Sequence, residues 1–352
     1  MITDLRLQHF RSYDDDSFEF QPGVNIIVGP NASGKTNLLE AILVLAAGSS
    51  YRVSDAELVQ RDQPWARLDS HDSNDHDRTM KIVLDPRPTK TFEFGGKVIR
   101  RLSLKDKLPV VLFEPNHLQL LAGSPEQRRQ YLDDLLEQTE AGYGQLRREY
   151  KRILAQRNSL LKQPALMAHG QLFAWNIRLS EAAGHIVRAR SRLTAALNDH
   201  LSSLYSDLSH SSTHVQLAYA CRFTPDNYQT QLLKKLESDL VLDQARGFTG
   251  SGPHREDLLV TFDNQPAALS ASRGESRTAV LALKILELDM LRAARDISPI
   301  LLLDDVFSEL DGARRRALTS YLRDYQTFIT TTDADVVIQN FTETCHVIAL
   351  GG

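Results

Sequence analysis

Apolar and polar positions alternate at the start of the chain. Leu5, Leu7 and His9 fall on one phase and Arg6 and Gln8 on the other, the period of a half-buried strand. VNIIV (24–28) is a short apolar run ending in a glycine-rich turn, which predicts a strand buried on both faces. NLLEAILVLAA (37–47) predicts a helix that stops at Gly48. TFEFGGKVIR (91–100) predicts a two-residue hairpin, because Gly95-Gly96 accepts the positive φ of a primed turn. PVVLF (109–113) is another buried strand, and 68–78, with DSHDSNDHD inside it, is expected to be a polar loop. From about Pro125 to Leu240 the pattern is mostly helical, with breakers near Gly142–Gly144, Gln163–Pro164 and Thr224–Asp226. Strands return with LLVTF (258–262), ILLLDD (300–305) and TFITTT (327–332). The expected organisation is one α/β domain, made of 1–122 and 247–352, carrying a helical insertion over 123–246.

Length supports more than one compact unit: 352 residues is long for a single domain. With 42% hydrophobic and 24% charged residues the chain is neither fibrous nor disordered. A net charge of −4 removes any global basic signal for nucleic acid. Cys221 and Cys345 leave no disulfide framework and no metal knuckle, which fits a reducing cytoplasm. MITDLRLQHFRS lacks the apolar core of a signal peptide, and no apolar run approaches the roughly 18 residues of a bilayer span, so no membrane partner is expected.

The candidate chemistry begins at the end of VNIIV. Gly29, Pro30, Asn31, Ala32, Ser33, Gly34, Lys35 and Thr36 spell G-x-x-x-x-G-K-T between a strand and a helix that opens at Asn37, the context of a phosphate-binding loop, and these residues through Asn37 are assigned to ATP. Successive backbone N–H groups wrap phosphate oxygens there, and the helix start adds about half a positive charge. Lys35 reaches the β- and γ-phosphates of ATP, and the Thr36 hydroxyl is placed for Mg²⁺. PILLLDDVFSELD (299–311) supplies the second half: a buried strand with two carboxylates at its C-terminal end, where ligands sit in open α/β sheets. Asp304 is assigned to Mg²⁺, and Asp305 to general base, orienting or deprotonating the attacking water. A third element, ASRGES (271–276), precedes a long helical pattern, so Ser272, Gly274 and Glu275 stand at a helix N-terminus. Two phosphate-facing helix starts with one phosphate loop are most simply satisfied by two chains head to tail, each offering Ser272 and Gly274 to the γ-phosphate held by the other. Such a homodimer depends on ATP.

The order of phosphate loop, S-x-G-E, DD and SELD resembles the ABC-type ATPase heads of the SMC/Rad50/RecF group. The chain is most similar to the RecF family of bacterial recombination-repair proteins, over nearly its whole length. HFRSY (9–13), GKTNLLEAI (34–42), SSYRVSDAELV (49–59), GSPEQRRQYLD (123–133), YKRILAQRN (150–158) and SGPHREDL (251–258) carry that likeness. It implies a P-loop ABC-type ATPase head with an inserted, mainly helical arm, in which Ser308 and Asp311 form the loop between the two nucleotide sites. It further implies a cytoplasmic, nucleoid-associated protein that binds gapped or double-stranded DNA without sequence specificity and assists recombinase loading with RecR and RecO. Four departures stand out. Ala32-Ser33 replaces a glycine common in related heads, and Arg273 lies inside the signature. Asp305 stands where transporters carry Glu, and Thr332 where they carry a switch histidine; both imply slow hydrolysis. The remaining alternatives are an ATP-gated DNA clip without significant hydrolysis, a transport ATPase subunit and a small-molecule P-loop kinase. The 237 residues between Lys35 and Ser272 argue against a transporter, and the kinase would not need the S-x-G-E helix.

Charge is uneven along the chain. Between Gln145 and Arg192 ten basic residues face only Glu149 and Glu181. Arg147, Arg148, Lys151, Arg152, Arg157, Arg188 and Arg190 are therefore candidates for phosphate contacts along a duplex, with a solvated helix face as the alternative. His71, Asp72, Asp75, His76 and Asp77 have the right types for a metal but match no standard spacing. Tyr13 either lies against adenine or its ribose, or packs on an edge strand. His254 and Arg255 either contact nucleotide or DNA, or pair with Asp257. Ser308-Glu309-Leu310-Asp311 also reads as a helix cap.

Overall fold

The computed structural model describes the chain except residues 51, 74–75, 164, 340, 342–344 and 352, and gives backbone alone for 165–169 and 336. The chain forms two compact units: Met1–Leu118 together with Glu287–Gly352, and Gln119–Leu286.

The first unit opens with β1 (Ile2–Phe10), β2 (Tyr13–Glu19) and β3 (Val24–Val28). Alternation holds through Leu5 and Leu7, then breaks: His9 has φ 49, which turns Phe10 inward instead. Helix α1 (Lys35–Ala47) ends at Gly48, whose φ of 90 suits the left-handed stop. Strands β4 (Trp65–Asp72), β5 (Asp77–Val83), β6 (Thr89–Phe94), β7 (Lys97–Ile99) and β8 (Val110–Phe113) follow. Within the expected 68–78 loop, residues 68–72 and 77–78 instead belong to β4 and β5, which pair antiparallel, while 74–75 lie outside the described residues. Its polar residues mark the outer face: Arg67 is exposed while Ala66, Leu68 and Ser70 point into the core. Gly95 and Gly96 take φ 51 and 78 and turn β6 into β7 as expected. These strands form an antiparallel sheet in the order β2-β1-β4-β5-β6-β7.

The second unit carries α2 (Pro125–Thr139), α3 (Tyr143–Leu161) and the 45-residue α4 (Ala165–Ser209). Ser124 caps α2 and accepts from the Gln127 amide. A strand the helical pattern concealed, β9 (Val215–Ala220), precedes α5 (Tyr228–Ser238). It pairs with β10 (Asp257–Phe262), which in turn pairs with β11 (Gln265–Pro266). Because β10 completes a sheet begun by β9, residues 247–286 cluster with the helical unit and not with the head to which the sequence pattern assigns them. Helix α6 (Arg273–Ala294) follows.

The first unit is completed by β12 (Ile300–Asp304), α7 (Gly312–Leu322), β13 (Thr327–Thr331) and β14 (His346–Ala349). The parallel sheet runs β14-β3-β13-β12-β8. Every residue of β12 and β13 is buried, the continuous apolar run of a sheet covered on both faces. One apolar core, including Leu38, Ile42 and Leu45 of α1, Leu5 and Leu7 of β1, and Leu302 and Phe328, joins the two sheets of this unit. The buried side chain of Gln326 accepts from the Ile2 amide at 2.9 Å and donates to the Ile2 carbonyl at 2.6 Å, tying β1 to the residue that leads into β13.

Ion pairs, not apolar contact alone, organise the interior of the second unit. Arg157 is fully buried, donating to Asp243 Oδ2 at 2.8 Å, Thr249 Oγ1 at 2.7 Å and Asn176 Oδ1 at 2.7 Å. Removing its charge leaves Asp243 buried without its guanidinium, so Arg157→Ala is expected to cost about 3–5 kcal/mol in urea unfolding; a loss under about 1 kcal/mol would contradict this role. His254 lies between the Tyr150 hydroxyl (2.6 Å from Nδ1) and the Thr249 carbonyl (3.1 Å from Nε2). Burial pulls its pKa down to about 4 from 6.5. The folded chain thus binds this proton less readily than the unfolded one. The corresponding stability is complete above pH 6.5 and drains as pH falls towards 4. Thermal scans between those values are expected to show His254→Asn losing less stability on acidification than the parent chain.

Candidate functional site

The phosphate loop follows β3, and its geometry explains its glycines. A Cβ on Gly29 would lie 2.6 Å from Ser33 Oγ and 2.9 Å from the Leu350 carbonyl. At Gly34, φ is 96 and a Cβ would meet the Tyr13 hydroxyl at 2.9 Å. Ala32 also has positive φ, 67, so the residue that replaces a glycine here carries backbone strain of about 1–2 kcal/mol. Asn31 is exposed, the Ser33 amide donates to the Pro30 carbonyl at 3.3 Å, and Asn37 Nδ2 donates to Ser12 Oγ at 2.9 Å. Ser33 Oγ is buried with no hydrogen-bond partner among the described residues, and Lys35 Nζ folds back onto the Gly29 and Pro30 carbonyls, each 2.8 Å away. A buried hydroxyl with no partner among the described residues and a buried ammonium hydrogen-bonded to two neutral carbonyls suit an anion in this loop.

Strand order brings the second half of the site to the first. β13 lies between β3 and β12, in register so that Thr330 is level with Ile27 on one side and Asp304 on the other. Thr36 Oγ1 donates to Asp304 Oδ1 at 2.9 Å, and Thr330 Oγ1 donates to the same oxygen at 2.9 Å. The Thr330 hydroxyl in turn accepts from the Asp305 amide at 2.9 Å. Asp305 adopts φ 52, a left-handed conformation uncommon for a residue with a side chain. Its carboxyl pKa is raised, first by burial and then by the neighbouring Asp304 charge, while Lys35 pulls it down. A raised carboxylate beside the phosphate loop is suited to accept a proton. Thr332 is exposed just beyond β13.

Several participants were invisible in the spacing. Thr330 reads only as part of a strand. Arg52 Nη2 donates to Asp304 Oδ2 at 2.8 Å and to the Glu114 carboxylate. Glu40, one turn along α1 from Thr36, accepts from Arg11 Nε at 2.7 Å and from Ser50 Oγ at 2.6 Å. No motif rule marks a lone Arg and two Glu this far apart in the chain; only the fold assembles them.

The structure decides between the alternatives the sequence left open at several other positions. Tyr13 is nearly buried, donates to the Gly34 carbonyl at 3.1 Å and packs edge-on to Phe18; it buttresses the loop from below. Asp311, not Ser308, caps α7, accepting from the Arg314 amide at 2.9 Å, which lowers its pKa; Ser308 Oγ donates to the Asp305 carbonyl at 2.6 Å. Asp257 is held bidentately by Arg128 at 2.9 and 2.7 Å, and Arg255 stacks over Phe248, so the pairing expected within SGPHRED does not form. His71 Nδ1 sits 2.7 Å from Asp4, and His76 Nδ1 3.2 Å from Asp72; Asp75 lies outside the described residues. Among the described residues no group of three or more His, Cys, Asp or Glu is arranged to hold a metal.

In the second unit, Ser272 and Glu275 form a reciprocal cap at the start of α6. The Ser272 amide donates to Glu275 Oε2 at 2.8 Å and the Glu275 amide donates to Ser272 Oγ at 3.2 Å. Hydrogen bonds to its carboxylate from the Ser272 backbone amide first, and from the Ser272 side chain, lower the Glu275 pKa. Gly274 accepts from Thr278 Oγ1 through its carbonyl at 3.0 Å. The arm cations divide sharply. Besides Arg157, Arg190 is buried against Asp133 (2.9 and 3.0 Å), the Tyr219 hydroxyl and the Pro253 carbonyl. Arg147 is largely buried among Asp133, Glu137 and Gln130. These three are spent on internal carboxylates and are not available to a duplex. Arg148, Lys151 and Arg152 are exposed and Arg188 is half-buried.

Through one hydroxyl Thr330 holds the Asp304 carboxylate and the Asp305 backbone amide. Thr330→Val keeps the shape but removes the hydroxyl and strands the Asp305 amide, so urea unfolding is expected to show a loss of about 2 kcal/mol. Thr330→Ser should recover most of it. Equal stability of the valine and serine variants would show that the hydroxyl carries no such burden.

The chain resembles known proteins over its full length. A family model described as "RecF/RecN/SMC N terminal domain" matches residues 1–350. The DNA replication and repair protein RecF of Symbiobacterium thermophilum is 38% identical, covering 95% of this chain and 92% of that protein. The RecF of Heliobacterium modesticaldum is 35% identical over 94% of this chain and 92% of that one. A solved "recombination mediator protein RecF-ATPrS in RecFOR pathway" superposes with a TM-score of 0.88 at 27% identity, covering 100% of this chain and 96% of that one. An SMC head bound to the C-winged helix domain of ScpA shares the fold alone, with a TM-score of 0.54 at 16% identity over 99% of this chain and 94% of that one. A phosphate loop, an acidic strand end and an S-x-G-E helix start on this ABC-type ATPase head, matched end to end, place the chain in the RecF family of DNA replication and repair proteins.

Proposed function

We propose that this protein is an ATP-dependent DNA clamp of recombinational repair and replication restart, closed by nucleotide and opened by slow hydrolysis. The observation that carries the reading is the meeting of Thr36 and Asp304 at 2.9 Å, beside a buried Lys35 and a phosphate loop with an unsatisfied hydroxyl. Lys35 exchanges its two carbonyl partners for the β- and γ-phosphates. Thr36 and Asp304 offer the hydroxyl and carboxylate oxygens that a hard cation such as Mg²⁺ prefers. Bound there, Mg²⁺ would offset phosphate charge. Asp305, with its pKa raised, takes the proton of the attacking water, and Thr330 fixes its backbone.

Closure needs a second copy. Ser272 and Gly274, with Glu275 holding the cap, present a helix start to the γ-phosphate held by the partner chain. Arg148, Lys151, Arg152 and Arg188 of the arm then contact DNA phosphates without reading sequence. Weak, DNA-dependent ATPase activity and cooperation with RecR and other recombination mediators follow from this reading. It is supported by solved relatives described as the recombination mediator RecF with ATP and with ATPrS in the RecFOR pathway. No helix among the described residues is long and apolar enough to cross a membrane.

Fluorescence anisotropy of a labelled gapped duplex tests the clamp. Tight binding is expected with ATP, and not with ADP or without nucleotide, and Lys35→Ala is expected to abolish the difference. Ser272→Arg should keep ATP binding and lose DNA binding. Lys151→Glu should weaken DNA binding and reduce the salt slope by about 0.9 for each phosphate no longer neutralised. Binding indifferent to nucleotide and to Lys151 would overturn the reading.

A further inference from the structure

The Asp304 carboxylate is shared more widely than the proposed cation role requires. Its Oδ1 accepts from Thr36 and Thr330, and its Oδ2 lies 2.8 Å from Arg52 Nη2. The same nitrogen is bound to Glu114. Both carboxylates are almost entirely buried, with side chains 8% and 5% exposed, whereas the Arg52 side chain is 31% exposed. One guanidinium at the rim thus neutralises two interior anions. The loop that delivers it is anchored: Ser50 Oγ donates to Glu40 of α1 and accepts from the Arg52 and Val53 amides at 3.0 and 3.3 Å. Arg52 is therefore positioned by the loop's own hydrogen bonds at the carboxylate face open to the rim.

A divalent cation placed on Asp304 beside Thr36 meets that guanidinium. The two positive centres draw on the same carboxylate, and their repulsion in a partly buried setting is strong. We propose that Arg52 is the resident counter-cation of the Asp304 carboxylate and competes with the divalent metal for it, with Glu114 as the tether that retains Arg52 once the metal has bound. Arg52 then sets the metal affinity of the site. A free cation binds poorly against it, and a cation arriving with nucleotide phosphates, which add their own negative charge, displaces it. The inference deepens the assignment of Asp304 as a cation ligand and rests on it.

Mn²⁺, observed by electron paramagnetic resonance on the full chain, tests this without relying on turnover. Without nucleotide the parent chain is expected to bind Mn²⁺ weakly. Arg52→Gln should tighten binding tenfold or more, Arg52→Lys should stay near the parent value, and adding Asp304→Asn to Arg52→Gln should erase the gain. The thermal midpoint of Arg52→Gln should also rise with Mn²⁺ more than that of the parent; if this variant fails to fold in chelator, Mn²⁺ should restore it. Unchanged Mn²⁺ affinity in Arg52→Gln, or no stabilisation by Mn²⁺, overturns the competition while ATP-dependent Mn²⁺ binding leaves the cation site standing. Absence of Mn²⁺ binding even with ATP removes Asp304 as a ligand, and the competition falls with it.

Discussion

A hydroxyl meets a carboxylate across 268 residues of sequence, and the architecture of the site is built round that contact. Thr36 opens α1; Asp304 ends β12. They are brought together because β13 is inserted between β3 and β12, so that three strand ends deliver a phosphate loop, a threonine and two aspartates to one edge of the parallel sheet. A slip of one residue would move Asp304 away from Thr36 and turn every side chain of the closely packed strand to the opposite face. Thr330 converts that register into chemistry, donating to one acidic side chain and holding the backbone of the next.

Much of this was legible in the sequence. The phosphate loop, the acidic strand end and the S-x-G-E helix start all carry local signatures, because each depends on backbone geometry that only certain residues supply. The hairpin at Gly95-Gly96 and the stop at Gly48 were legible for the same reason. What stayed hidden were residues whose role exists only in three dimensions. Thr330 lies in an apolar-looking strand, and Arg52, Glu114 and Glu40 carry no spacing rule. The β4–β5 hairpin was hidden by composition, because polar residues on its outer face obscured Ala66, Leu68 and Ser70 on the inner one. Strand β9 was lost in a long helical context that its six residues could not interrupt.

Charge along the arm transfers poorly from sequence to surface. Of the seven cations expected to meet DNA, Arg147, Arg157 and Arg190 point inward to Asp133, Glu137 and Asp243. A buried cation needs a carboxylate partner nearby in space, and those partners come from other helices, so the local excess in sequence overstates the charge that solvent sees. The guanidinium suits such positions because its planar fork satisfies several acceptors at once. Of the seven, only Arg148, Lys151 and Arg152 stay exposed, with Arg188 half-buried.

Strand order also dictates when each part of the molecule is able to form during synthesis. β3 and β8 emerge early, yet their neighbours β12, β13 and β14 all lie beyond residue 299. Ile2, too, waits for Gln326. The unit spanning 119–286 is contiguous and is complete on the ribosome while the first 118 residues still have open strand edges. Those edges are exposed backbone donors and acceptors, and the loop closure that satisfies them spans most of the chain. The fold that brings Thr36 to Asp304 therefore imposes a period in which the nascent N-terminal segment is the part most in need of protection from pairing with other chains.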